Sequence, residues 1–195
     1  LILKGRPTIF KNDELIIRAQ ELFWEKGYTA TSLSELLKIT GAGSGSFYNT
    51  FKGGKKEIFS KSIQQRRDAF ELFKAEISEC ESPLDLIKTF FRSVATEDNK
   101  AHRRGCIIAN TIVEMSNLEE ELENEAIQIL KEVELMFSKA VKHAQDKGLI
   151  SNPKEPHVLG RYLVTFWCGL NTLRRMYPDS QTLLQQIEMQ LEVIT

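Results

Sequence analysis

The chain has 195 residues, 42% of them hydrophobic and 27% charged, which is enough apolar material for a buried core and excludes a disordered or low-complexity segment. Three widely spaced cysteines without a CxxC pair and three isolated histidines exclude a disulfide framework and a zinc site, so no metal and no cofactor is expected. No apolar run approaches the roughly 18 residues of a membrane span, and the opening LILKGRP is too short for a signal peptide; a cytosolic location with no membrane partner is the default.

The formal net charge of -1 hides an asymmetry. Residues 1–60 hold nine Lys and Arg against six Asp and Glu, whereas the remainder holds 17 against 21. A mildly basic head on an acidic body fits contact with a polyanion through the head alone.

In chain order, the first helix is expected over residues 11–26, where Leu15, Ile16, Ala19, Leu22 and Phe23 recur at three- and four-residue steps. Asn12 or Asp13 can cap it and Gly27 stops it. A second helix opens at TATSLSELLKIT, with Thr31 or Ser32 as N-cap, Glu35 placed for a capping box, and Leu33, Leu36 and Leu37 facing inward. It ends at Thr40 and Gly41, and a third helix of two turns, Ser44 to about Thr50, follows within about three residues. Two helices joined by a tight glycine-containing turn make a helix-turn-helix. The third helix is narrow because its side chains are small, and it suits a major groove about 12 Å wide.

A long helix is expected from Lys55 to about Ser78, then helices near residues 83–95, 105–115, 118–147, 156–176 and 180–193, with Gly148 and Pro178 as breakers. No segment alternates as a strand. The expected fold is all-α, with a three-helix head over residues 1–54 and a six-helix body over residues 55–195.

The head resembles the DNA-binding domain of the TetR/AcrR family of bacterial transcriptional regulators. The matching residues are Leu15-Ile16, Ala19, Leu22-Phe23, Gly27-Tyr28, Thr31-Ser32, Gly41, Gly45-Ser46-Phe47-Tyr48, Phe51, Lys55 and Ile58-Phe59, in the family's order and spacing. Ala42-Gly43-Ser44-Gly45 stands where the family commonly has Val-Ser-Lys-Gly. Two glycines there cost about 0.5–1 kcal/mol each relative to alanine, which loosens the recognition helix until DNA orders it.

Chemistry and resemblance together assign the head's contacts to double-stranded operator DNA. Gly45 and Ser46 let the backbone approach the groove, and Ser44, Asn49 and Thr50 can reach base edges. Tyr48 can give its hydroxyl to a phosphate, and Thr31 and Ser32 suit a phosphate at a helix start. Lys52, Lys55 and Lys56 add positive charge, and Lys4 and Arg6 can form an arm on a minor groove or on phosphates. Phe47 and Phe51 are expected in the head core.

For the body, the resemblance implies a small-molecule inducer site and a homodimer formed by the last two helices. Candidate pocket residues are Phe70, Phe73, Phe90, Phe91, Asn110, Glu114, Met115, Met136, Phe137 and Trp167. The helix over residues 156–176 is apolar nearly all round, which suggests a second apolar surface for a partner. Leu159, Leu163, Phe166 and Leu170, with Leu184, Ile187 and Leu191 of the final helix, are the expected dimer residues. Cys106 follows Arg103-Arg104 at an expected helix start, the setting in which thiols are reactive, and is a candidate oxidant or electrophile sensor; its alternative is a small core residue.

The reading is a ligand-responsive regulator, expected to be a repressor. Two other readings are weighed against it. An enzyme has little support, because no nucleophile elbow, HExxH or Walker loop is present, and Glu114 with His102 or His143 is the best acid/base pair that can be assembled. A helical protein-interaction module with weak or no sequence-specific DNA binding is suggested by the glycine-rich recognition helix.

Overall fold

The computed structural model describes residues 12–195; Lys4 and Arg6 lie outside the described residues. These residues form ten α-helices and a final 3-10 turn, and no strand. They divide into two compact units, one reaching to Gln65 and one spanning Arg66–Thr195.

The first unit holds α1 (Asn12–Lys26), α2 (Leu33–Thr40), α3 (Ser44–Thr50) and the first part of α4 (Gly54–Glu79). Leu15, Ala19, Leu22 and Phe23 are buried on one face of α1, as their spacing requires, with Ile16 at its half-buried edge. Phe23, Phe47, Phe51, Ile58 and Phe59 complete the core. Phe23 and Phe59 meet edge to face at 4.8 Å, and Phe47 and Phe51 lie 5.4 Å apart. Each buried ring contributes about 1.5–3 kcal/mol, which is how so short a helix as α3 is held in place. Gln20, the buried polar residue of α1, donates to the Ser62 carbonyl at 2.7 Å and ties α1 to α4.

Ser32 caps α2 with the full reciprocal box: Glu35 N–H donates to Ser32 Oγ at 3.2 Å, and Ser32 N–H donates to Glu35 Oε2 at 3.0 Å. Gly41 ends α2 at φ 67°, a left-handed conformation that a side chain resists, and this sets the turn into α3.

The second unit comprises the rest of α4, α5 (Pro83–Val94), α6 (Asn99–Arg104), α7 (Ile107–Met115), α8 (Glu120–Asp146), α9 (Pro156–Met176) and α10 (Ser180–Leu191). The short α6 is absent from the sequence expectation: six residues cannot display a period, and the Asp98 side chain, accepting from Ala101 N–H at 2.8 Å, is what starts it. α8 packs along both α7 and α9, and α5 packs on α8 and α10. α8 and α9 approach so closely at Gly160 that a Cβ there would run into Ser138 Oγ and stand 2.9 Å from the Glu134 carbonyl oxygen.

The expected dimer residues sit largely inside their own unit. Leu159, Leu163, Phe166, Leu170, Ile187 and Leu191 are buried in the unit's own core with Ile87, Phe91 and Phe137, and Leu184 packs half-buried against it. α8, α6 and α10 of the same chain pack against α9 and take up much of its apolar surface. Its outward stripe is Val158, Arg161, Thr165, Gly169, Thr172 and Met176.

Candidate nucleic-acid interface

The core pins α3 through Phe47 and leaves Ser44, Gly45, Ser46, Tyr48 and Asn49 on its exposed side. This surface is low and open. A Cβ at Gly43 or at Gly45 would meet no atom within 4 Å, so nothing in the fold itself demands glycine at these positions.

Tyr48 stands at the edge of that surface, 46% exposed. Its ring is set edge to face on Phe47 at 5.6 Å, and its other flank lies against the start of α4, where a Cβ at Gly54 would stand 3.3 Å from the ring. The ring is therefore placed by packing. Lys55 is also placed: its ammonium lies 4.4 Å from the centroid of the Tyr28 ring, which in turn meets Phe59 edge to face at 5.0 Å. A cation–π contact of this kind fixes a lysine that the sequence shows only as part of a charged turn. Lys52 is exposed beside it and Lys56 half-buried.

Three hydroxyls expected at the interface are engaged internally. Thr31 is fully buried and donates to the Gly27 carbonyl at 2.7 Å, so its side chain is a brace between the α1 exit and α2 and does not face a phosphate. Ser32 Oγ lies 2.9 Å from Glu35 Oε2 within the capping box. The box satisfies the Ser32 and Glu35 N–H groups at the start of α2 from within the chain. Thr50 donates back to the Ser46 carbonyl at 3.0 Å, which closes α3 and leaves Ser46 and Asn49 better placed than Thr50 for base edges. Glu35, bonded first by Lys26 and then by Ser32, has its carboxyl held down at about 2, so it is a permanent negative charge offset by Lys26.

In the body, the expected pocket residues fall into two groups. Phe70, Phe73, Phe90, Phe91, Phe137 and Trp167 form one chain of ring contacts, including Phe73–Phe90 at 5.0 Å and Phe90–Trp167 at 5.2 Å. Met136 joins this core. Asn110, Glu114 and Met115 do not: they stand on α7, where Asn110 donates to the Arg104 carbonyl at 3.1 Å and Met115 is fully buried outside that cluster. Their helical spacing in the sequence matches a pocket wall, but it cannot say which neighbour that wall meets.

Cys106 is half-buried and is the N-cap residue of α7. Arg175, at the end of α9, donates to the Arg104 carbonyl at 2.7 Å, and its guanidinium would stand 3.0–3.3 Å from a Cβ at Gly105. A guanidinium contributed from 71 positions away in sequence is beyond any local pattern. Burial, and then the charge of nearby Cys106, push the Cys168 thiol up. Among the described residues no group of three or more His, Cys, Asp or Glu is placed to hold a metal ion, and no helix is long and apolar enough to cross a membrane.

Comparison with known proteins agrees with this geometry. Residues 15–61 match the family model for bacterial regulatory proteins of the tetR family, and residues 84–189 match the tetracyclin repressor-like C-terminal domain. The chain is 25% identical over 159 residues to the HTH-type transcriptional repressor DhaR of Mycobacterium sp. (strain GP1), covering 80% of this chain and 77% of that protein. It is 26% identical to the uncharacterized HTH-type transcriptional regulator YezE of Bacillus subtilis (strain 168), over 97% of this chain and 99% of that one. A solved cysteine mutant of the TetR-family transcriptional regulator CifR, in complex with 26-bp double-strand operator DNA, has the same fold, with a TM-score of 0.78, 20% identity and coverage of 95% and 98% of the two chains. The chain belongs to the TetR family of bacterial regulatory proteins and is a DNA-binding transcriptional regulator rather than an enzyme.

Proposed function

We propose that the chain is a homodimeric repressor that binds a palindromic operator through α3 of each protomer and is released by a small-molecule inducer or by an oxidant or electrophile acting at Cys106. The observation that carries the DNA reading is Gly45. A glycine early in a helix, with open space around it, is not required by the fold, and it costs stability relative to alanine. Close approach of another backbone, such as the wall of a major groove, accounts for it. The names of DhaR, as a repressor, and of the CifR complex, with operator DNA, support the same reading.

Two heads about 34–36 Å apart match successive major grooves, and a ligand that binds better to a dimer of another spacing shifts the population off DNA. By reciprocity, DNA then weakens ligand affinity by the same factor. The dimer seam proposed here is the outward stripe of α9, in which Thr165, Gly169 and Thr172 are small enough to let a partner helix approach. Thr165→Arg is expected to yield monomers by sedimentation at concentrations where the parent is dimeric; unchanged dimers place the seam elsewhere.

The test of the DNA reading is Gly45→Leu. With nothing within 4 Å of the new Cβ, the variant is expected to keep its thermal stability while losing at least tenfold in operator affinity. Unchanged affinity overturns the proposed role of α3. For the thiol, N-ethylmaleimide is expected to release operator from the parent but not from Cys106→Ser, with Cys106 labelled faster than Cys168, which is also half-buried and whose thiol is pushed up; equal labelling removes Cys106 as a sensor.

A further inference from the structure

A groove of about 480 Å³ lies between the C-terminal part of α4, the first turn of α5 and the middle of α8. Its volume falls in the range of small-molecule sites, roughly 300–1,000 Å³. It is separate from the ring cluster of the body and shares with the expected pocket residues only Met136. Its floor is apolar, made by buried Ile77, Met136 and Ala140, and the 56% exposed Leu135 stands beside them with its side chain uncovered.

The charges around this floor do not cancel. Both acids of the lining are already matched: Glu71 accepts from Lys74 at 2.9 Å, and Glu132 accepts from Arg67 through two bonds of 2.9 and 2.5 Å. Lys139 has no acidic partner among the described residues. One turn further along α8, at the i+4 position, His143 lines the same groove, and its Nε2 is buried without a hydrogen-bond partner. A buried ring nitrogen with no partner costs free energy, which an outside group can recover. The groove therefore offers one ammonium and one imidazole at the end of an apolar trough, with both carboxylates occupied. No guanidinium fork is free there for a doubly charged phosphate head.

We propose that this groove binds a small amphipathic monocarboxylate, its head between Lys139 and His143 and its apolar body along Ile77, Met136, Ala140 and Leu135. The assignment names a ligand class for the inducer response proposed above. It rests on that reading only for its effect on DNA, since binding itself depends on the groove alone.

The experiment is calorimetric titration of the full chain with sodium octanoate and, separately, with octanamide, which has the same chain length and no charge. Octanoate is expected to bind one site per chain, at least tenfold more tightly than octanamide. Lys139→Met, a change at an exposed position, is expected to abolish that preference, and His143→Phe to reduce octanoate affinity severalfold. Trp167→Phe, in the ring cluster, leaves it unchanged. Equal affinities for the two compounds, or octanoate binding that responds to Trp167→Phe and not to Lys139→Met, overturns the proposal. Lys139-dependent binding that leaves operator affinity unchanged supports the groove and counts against the inducer reading, so the two failures are distinguishable.

Discussion

Tyr48 has its ring set against Phe47 and the start of α4, yet the residue stays 46% exposed. Removing the hydroxyl alone therefore separates packing from contact. Tyr48→Phe is expected to leave thermal stability unchanged and to weaken operator binding about tenfold, the order of one charge-assisted hydrogen bond at about 1.5–2 kcal/mol; fluorescence anisotropy with a labelled duplex checks it. Glu35 makes a prediction of a different kind. Its carboxyl is held at about 2, below the ordinary glutamate value of 4.5, so its contribution to stability is fully present above about pH 4.5 and is lost as pH falls towards 2. The stability gap between the parent and Glu35→Gln, followed by denaturant unfolding, is expected to close over that window and to stay constant above it. Adjacent Thr31 and Ser32 show the limit of reading at this scale: two neighbouring hydroxyls are equivalent as N-caps in a sequence, and only the fold turns one inward to Gly27 and makes the other the cap.

The helices themselves were largely legible because their faces are periodic and their ends are marked by Ser32 and Glu35, Gly41, Gly148 and Pro178. What the pattern could not supply is the neighbour of each face. α9 reads as having apolar surface to spare, yet the same chain covers it from several sides, and the residues left outward are mixed, with Val158 and Met176 beside small and polar ones. Lys55 on Tyr28, and Arg175 beside Gly105, join segments far apart in sequence and leave no local trace. Gly160 is the clearest case at this scale, as an unremarkable glycine in an apolar helix that proves to be the point where α8 and α9 nearly touch. Because two of the nearest atoms to a Cβ there are backbone, the helices must part to admit it. Gly160→Ala is expected to cost about 1–3 kcal/mol despite alanine's better helix propensity, read as a lowered melting temperature. A neutral or raised melting temperature contradicts the close crossing.

At the scale of the whole chain, the charge asymmetry and the open face of α3 converge on one claim: sequence-selective binding of duplex DNA by the head. The modest excess of basic residues over residues 1–60 predicts binding that weakens with salt. Replacing exposed Lys52 by Gln is expected to lower the salt slope by about one if that lysine neutralises a phosphate. A steep salt slope alone also describes non-specific adhesion, however, and it does not separate a repressor from a helical module that binds DNA weakly. The measurement that does is selection of bound duplexes from a random pool at moderate salt, with Gly45→Leu carried in parallel. The account predicts an enriched palindrome for the parent chain and its loss in the variant. Sequence-independent retention by both contradicts it.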